Sequence, residues 1–220
     1  MMLEENMLVT DRSSDGPASV RTQRGFTLTE LMVTLAVAGV LAMIAVPNMH
    51  TFLQNNRLSS ASNDLLRSFN LARTEAIKHQ ANVVVCASAA PMAAVPTCSY
   101  GPFNGWIVFQ DSGPPPWPGA NPWQFDNGEP IFERHVLLDS SITVKTDNNG
   151  IEMYLATGFA SPAGLKNPTR NILLCDIRGN QMVGTNSVER AVLIPASGRA
   201  RVSATSADVA TAAAAAGACP

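Results

Sequence analysis

Charge is scarce in this 220-residue chain. Asp, Glu, Lys and Arg make up 15% of it, against roughly a quarter in ordinary soluble domains. The formal net charge of −2 excludes any argument for a polyanion partner from bulk basicity. Aromatic residues amount to 6%. The three histidines, His50, His79 and His135, are scattered, and no Cys-x-x-Cys pair or His spacing suggests a metal site. A Gly-rich phosphate loop and a G-x-S-x-G elbow are both missing. The sequence therefore predicts no enzyme, no cofactor and no metal. An apolar core is also lacking in residues 1–24, which excludes an ordinary secretory signal there. Those residues are polar and mixed in charge (Glu4, Glu5, Asp11, Arg12, Asp15, Arg21, Arg24).

What the chain does have is one long apolar run. Residues 31–46 carry no charge, and Thr34 is the one polar side chain among them. Residues 26–47 as a helix would extend about 33 Å, enough for a bilayer core of about 30 Å. Arg21 and Arg24 precede the run, and the first basic residue beyond it is Arg57. The basic flank stays cytoplasmic, so the C-terminal region is expected to face out. Glu30 sits in the first turns of the span. A charge inside a membrane costs up to about 2.5–3.5 kcal/mol, less near an end, and so calls for a partner, naturally from another subunit.

The stretch Arg24-Gly25-Phe26-Thr27-Leu28-Thr29-Glu30-Leu31 resembles the processing motif of type IV prepilins and type II secretion pseudopilins. Glycine, phenylalanine, glutamate and leucine stand in register, with the apolar run behind them. The resemblance implies cleavage after Gly25 by prepilin peptidase, N-methylation of Phe26, and assembly with other pilins into a filament. There Glu30 would pair with the new amino terminus of a neighbour. It also implies a subunit anchored in the inner membrane by a single pass and then carried in a pilus at the cell surface. Gly39 and Pro47 weaken the helix, and in related pilins such a segment can melt on assembly.

After Pro47 the pattern becomes amphipathic. Leu58, Ala61, Leu65, Phe69, Ala72 and Ala76 recur at spacings of three and four, one helix face, ending near His79. From Val83 the period shifts towards two. Residues 83–87, 106–110, 131–137, 142–146, 151–155, 172–177, 188–194 and 199–202 read as strands, separated by turns such as Arg178-Gly179-Asn180 and Ser197-Gly198. The fold class is α+β: a long N-terminal helix packed on antiparallel sheet. The expected organisation is a leader at 1–25, a membrane or filament-core helix at 26–47, its amphipathic half at 48–80 and a β-rich domain at 81–220. The proline-rich stretch 113–122 reads as a stiff loop with Trp117 and Trp123 as possible contacts. The Ala/Ser/Thr-rich tail 203–218 reads as irregular. This layout, with Val85-Cys86, residues 105–109 and Leu174-Cys175-Asp176, resembles the GspH/FimT-type minor pilins and pseudopilins.

Cys86, Cys98, Cys175 and Cys219 form an even set suited to an oxidising compartment. Four cysteines permit three pairings. Cys86–Cys98, closing a short loop around Pro91 and Pro96, and Cys175–Cys219, tying down the C-terminal end, are favoured.

The C-terminal third has a positive excess. Lys166, Arg170, Arg178, Arg190, Arg199 and Arg201 face three acidic residues there, Asp176, Glu189 and Asp208. Within it, Gly198-Arg199-Ala200-Arg201 is the sharpest feature. On a strand, its arginines would start about 6.6 Å apart on one face, close to two nucleotide rises of about 3.4 Å along a DNA strand. Guanidinium groups suit phosphate. The tract also resembles the DNA-binding motif of FimT-type minor pilins used in natural transformation. The resemblance implies non-specific, salt-sensitive binding of extracellular double-stranded DNA through Arg199 and Arg201, with Lys166, Arg170, Arg178 and Arg190 in support. The alternative is a structural minor pilin that primes assembly, or the tip pseudopilin of a type II secretion system. In either case the same arginines would serve contacts between subunits.

Overall fold

A threonine starts the first helix. Thr27 Oγ1 accepts from the Glu30 amide at 3.2 Å, and the Leu31 amide bonds the Thr27 carbonyl at 3.1 Å. This is the Thr-x-x-Glu signature of a helix start, with the carboxylate in the first turn where the helix dipole favours it. The helix α1 (Leu28–His79) then runs unbroken through Gly39 and Pro47. The computed structural model describes residues 25–99, 103–111, 124–126, 128–137, 139–147, 150–161 and 170–219. The expected leader 1–24, the proline-rich loop with Trp117 and Trp123, and Lys166 lie outside them. The chain divides into two units, Met1–Pro47 and Asn48–Pro220.

Beyond Glu30, the helix of the first unit is apolar on every side. Leu31, Leu35, Val40, Leu41 and Ile44 are all exposed, and the segment is long and apolar enough to cross a membrane. The one hydroxyl of residues 31–46 is internally satisfied, because Thr34 Oγ1 donates to the Leu31 carbonyl at 2.9 Å. Backbone and side chain thus offer no unmet polar group to lipid over this turn.

In the second unit all six residues of the amphipathic stripe, Leu58, Ala61, Leu65, Phe69, Ala72 and Ala76, are buried. They pack on inward residues of two antiparallel sheets. The first sheet has the order β3 (Ile131–Val136), β2 (Gly105–Asp111), β1 (Asn82–Ser88), β5 (Ile151–Tyr154). The second runs β4 (Thr143–Thr146), β6 (Asn171–Cys175), β8 (Asn186–Leu193), β7 (Met182–Val183), with β9 (Arg201–Thr205) also paired to β8. The continuous run Val83-Val84-Val85-Cys86 is apolar on both faces because both are covered. Val83 and Val85 face α1, while Val84 and Cys86 meet Ile107, Phe109 and Met153 on the other side. Trp106 joins sheet to helix, its Nε1 donating to the buried Ser68 Oγ at 2.8 Å.

The tail departs from the expectation of an irregular segment. Residues 206–216 form a second helix, α2 (Ser206–Ala216). Thr205 caps it, its hydroxyl accepting from the Asp208 amide at 3.4 Å. The packing face that the alanine run seemed to lack is supplied by Val209, Ala212 and Ala213, which cover Leu173, Ala191 and Leu193 on the outer face of the second sheet. Alanine's helix propensity needs little else. Two further differences are local: β9 begins two residues later than expected, and the two-residue β7 carries too little pattern to be read from sequence.

Candidate nucleic-acid interface

The Gly-Arg-Ala-Arg tract leaves a tight turn. The Gly198 amide bonds the Pro195 carbonyl at 2.8 Å. Gly198 has φ +74°, and a Cβ there would lie 2.5 Å from the Gly158 carbonyl oxygen. Both the conformation and the close approach require glycine. Beyond it the chain alternates. Arg199 and Arg201 are exposed, while Ala200 and Val202 pack against the core. The two arginines therefore share the solvent side although only Arg201 belongs to β9.

Their surroundings differ. Arg201 is clasped by Asp208 of α2, Nη1 to Oδ2 at 2.7 Å and Nη2 to Oδ1 at 2.9 Å. The contact holds the Asp208 carboxyl well below the usual carboxylate range, helped by Ser203 and Thr205. It raises the Arg201 guanidinium in turn. Arg199 has no acidic partner among the described residues.

Three other arginines of the C-terminal third are engaged within the fold. Arg178, whose side chain is 10% exposed, donates Nε to Asp176 Oδ2 at 2.9 Å and Nη1 to Asn55 Oδ1 at 2.8 Å. Arg190 Nη1 donates to the carbonyls of Val188 and Glu189, each at 2.9 Å. Burial, then the nearby Arg178, lowers the Arg190 pKa. Arg170 Nη1 lies 3.5 Å from the buried Glu152 Oε2, and its Nη2 donates to the Ser161 carbonyl. Desolvation pushes Glu152 up to about 8 despite that neighbour. The exposed positive charge of the described tract is thus smaller than the count of cations implied.

Two residues that sequence reasoning passed over stand at the same place. Arg73 of α1 donates Nε to the Gly158 carbonyl at 2.9 Å, the same oxygen that Gly198 approaches. Phe159 follows Gly158 and is 56% exposed. Arg73 reads in sequence as one more polar helix position, and Phe159 falls in a turn, so no spacing links either to the tract.

The cysteines form two disulfides, Cys86–Cys98 and Cys175–Cys219. Glu189 lies beside the second, but sulfurs bonded to each other are not thiolate ligands. At the other end of the chain, Gly25 and Phe26 precede α1 in open space, Phe26 being 81% exposed, and Glu30 is exposed in the first turn.

Residues 61–198 match the family described as Type II transport protein GspH. The chain belongs to that family. Residues 20–46 match the prokaryotic N-terminal methylation motif. This GspH-family protein is a minor pilin or pseudopilin, and its apolar helix and prepilin motif fit a membrane-anchored subunit that assembles with other pilins. It is similar to the type IV minor pilin FimU of Pseudomonas aeruginosa (strain PAO1) in two crystal forms. The first has 18% identity over 69% of this chain and 92% of that one, with a TM-score of 0.44. The second has 17% identity over 66% and 92%, with a TM-score of 0.41. No curated protein matches the chain.

Proposed function

We propose that this GspH-family subunit is cleaved after Gly25, methylated on Phe26, held in the filament by Glu30 against a neighbour's amino terminus, and binds extracellular double-stranded DNA for uptake. Arg199 is the leading phosphate contact and Arg201 the second. The observation that carries the reading is the alternation at 199–202, with both guanidinium groups turned outward and Arg199 free of an acidic partner among the described residues. Binding of this kind is phosphate-driven and falls with salt. For about three neutralised phosphates, a rise from 50 to 200 mM costs roughly 10- to 100-fold in affinity. Several subunits in one filament would add avidity.

The Arg201–Asp208 clasp favours a second reading, in which the tract is structural and the protein is a priming or tip subunit of a pilus or secretion pseudopilus. A titration of duplex DNA onto the full chain in detergent, at two salt concentrations, separates the two. DNA uptake requires salt-sensitive binding that Arg199→Ala weakens in a folded protein. Binding absent at low salt leaves the structural subunit.

A further inference from the structure

We propose that Phe159 is a stacking platform for an unpaired base, flanked by the cations Arg73 and Arg199, so that single-stranded DNA or a frayed end is the preferred ligand of this face. The inference rests on the reading of Arg199 as a phosphate contact.

Three segments distant in sequence converge on one carbonyl. The Gly158 oxygen accepts from Arg73 Nε at 2.9 Å and lies 2.5 Å from where a Gly198 Cβ would stand. Phe159 and Arg199 are the next residues along their chains, each Cα about 3.8 Å from its glycine. The turn that carries Phe159 is pinned. The Leu155 amide bonds the Phe159 carbonyl at 2.9 Å, the Gly158 amide bonds the Leu155 carbonyl at 2.7 Å, and the Ala160 amide bonds the Ala196 carbonyl at 3.2 Å. Gly158 has φ +78°, and a Cβ there would meet Ile77 Cδ1 at 2.6 Å, so the turn is wedged against α1. Such a turn could have buried its aromatic ring. Instead Phe159 is 56% exposed, and Ile77, on which the Gly158 turn is wedged, is 49% exposed.

Neither cation is neutralised by an acidic partner among the described residues. Arg73 makes no ion pair among the described residues. The acidic Glu75, two positions on, is taken up by Lys78 at 3.1 Å and His79 at 3.0 Å. Asp208 is taken up by Arg201. An exposed aromatic residue on a pinned turn, with two arginines on the segments that meet it, matches the chemistry of an unstacked nucleotide, with the base on the ring and phosphates on the guanidinium groups. In an intact duplex the bases are paired and stacked on their neighbours, so the ring engages unpaired bases, as in a single strand or an overhang.

The test uses the full chain in detergent with labelled oligonucleotides of one length: single-stranded, blunt duplex, and duplex with a single-stranded overhang. Stacking predicts that Phe159→Ala loses roughly tenfold on the single strand and the overhang and changes little on the blunt duplex. Phe159→Trp retains binding, and its added fluorescence is quenched by the single strand but not by the blunt duplex. Circular dichroism establishes that each variant is folded. Equal loss on all three probes, or no loss on any, overturns the platform. Unchanged DNA binding together with weakened association with other pilin subunits also overturns it, making Phe159 a subunit contact. If Arg199→Ala weakens every probe while Phe159→Ala weakens none, the stacking inference alone fails. If the wild type binds no probe, the DNA reading fails and takes the platform with it.

Discussion

Arg201 and Asp208 face each other through two parallel hydrogen bonds of 2.7 and 2.9 Å, joining the first residue of β9 to the first turn of α2. The second of the two candidate phosphate contacts therefore already holds a carboxylate. Asp208→Asn removes the negative charge and leaves a side-chain oxygen to accept from the Thr205 hydroxyl that caps α2. It is expected to raise affinity for duplex DNA several-fold at low salt, since one further phosphate is available to Arg201, and to steepen the logarithmic salt slope by about one. Fluorescence anisotropy at several salt concentrations checks both. An unchanged slope would mean that Arg201 takes no phosphate.

Glu152 sets a pH dependence of stability. Burial raises its pKa to about 8, above the roughly 4.3 of an unfolded glutamate. The folded state thus holds the proton more tightly. The stabilisation is fully present below the unfolded value and is lost as pH rises from there through the folded one. Thermal melts are expected to show Tm falling between pH 5 and pH 8, because the unfolding free energy falls by up to about 1.4 kcal/mol per pH unit for one proton. Glu152→Gln removes that dependence. A wild-type Tm that rises over this interval would contradict it.

Gly198→Ala tests the turn. At φ +74°, with the Gly158 oxygen 2.5 Å from the new methyl, the substitution is expected to cost about 1–3 kcal/mol. It should also displace Arg199 and Phe159 together. Denaturant unfolding measures the first, and loss of binding to both single-stranded and duplex probes measures the second. Ala at Gly39, where a Cβ meets nothing within 4 Å, provides the control.

The two disulfides are unequal. Cys175–Cys219 closes a separation of 44 residues and Cys86–Cys98 one of 12. In the chain-entropy account, replacing each pair by serines costs about 4 and about 3 kcal/mol respectively. The Cys175/Cys219 double variant is further expected to loosen α2 and so release Asp208 from Arg201. Hydrogen exchange of the α2 amides should rise in that variant and stay protected in the other.

Trp106 and Ser68 form a coupled pair. Ser68→Ala strands a buried indole N–H and is expected to cost about 1–3 kcal/mol. Trp106→Phe in the Ser68→Ala background should cost less than the sum of the single changes, by about 1 kcal/mol. Additive losses in a double-mutant cycle would argue that the 2.8 Å bond contributes nothing of its own.

The legible parts of this protein were those with a period. The stripe from Leu58 to Ala76 was readable because spacing at three and four leaves one apolar face, and all six residues are buried. Eight of the strands followed from β-branched runs between turn residues, whereas β7 at two residues has no period to read. The tail misled for a physical reason. Alanine counts weakly as a core residue in sequence, yet Ala212 fits against the sheet because it is small. The charge count misled in the opposite direction. Arg170, Arg178 and Arg190 look like surface charge in sequence, but only the fold sets Arg170 against Glu152 and Arg178 against Asn55, and Arg178 and Arg190 are held back on near neighbours, Asp176 and the carbonyls of β8. Arg73 and Phe159 needed the fold itself, since only the packing of two turns on α1 brings them together.

That packing also has a bearing on biogenesis. Arg73 and Gly158 are 85 residues apart in sequence, and the Gly198 turn comes later still. A nascent or unfolded chain has Arg199 but has not yet brought Arg73 and Phe159 to it. The proposed face comes into being only once the turns at Gly158 and Gly198 have closed on α1. Folding is thus the step that would make the proposed binding face, and an incompletely folded subunit would lack it.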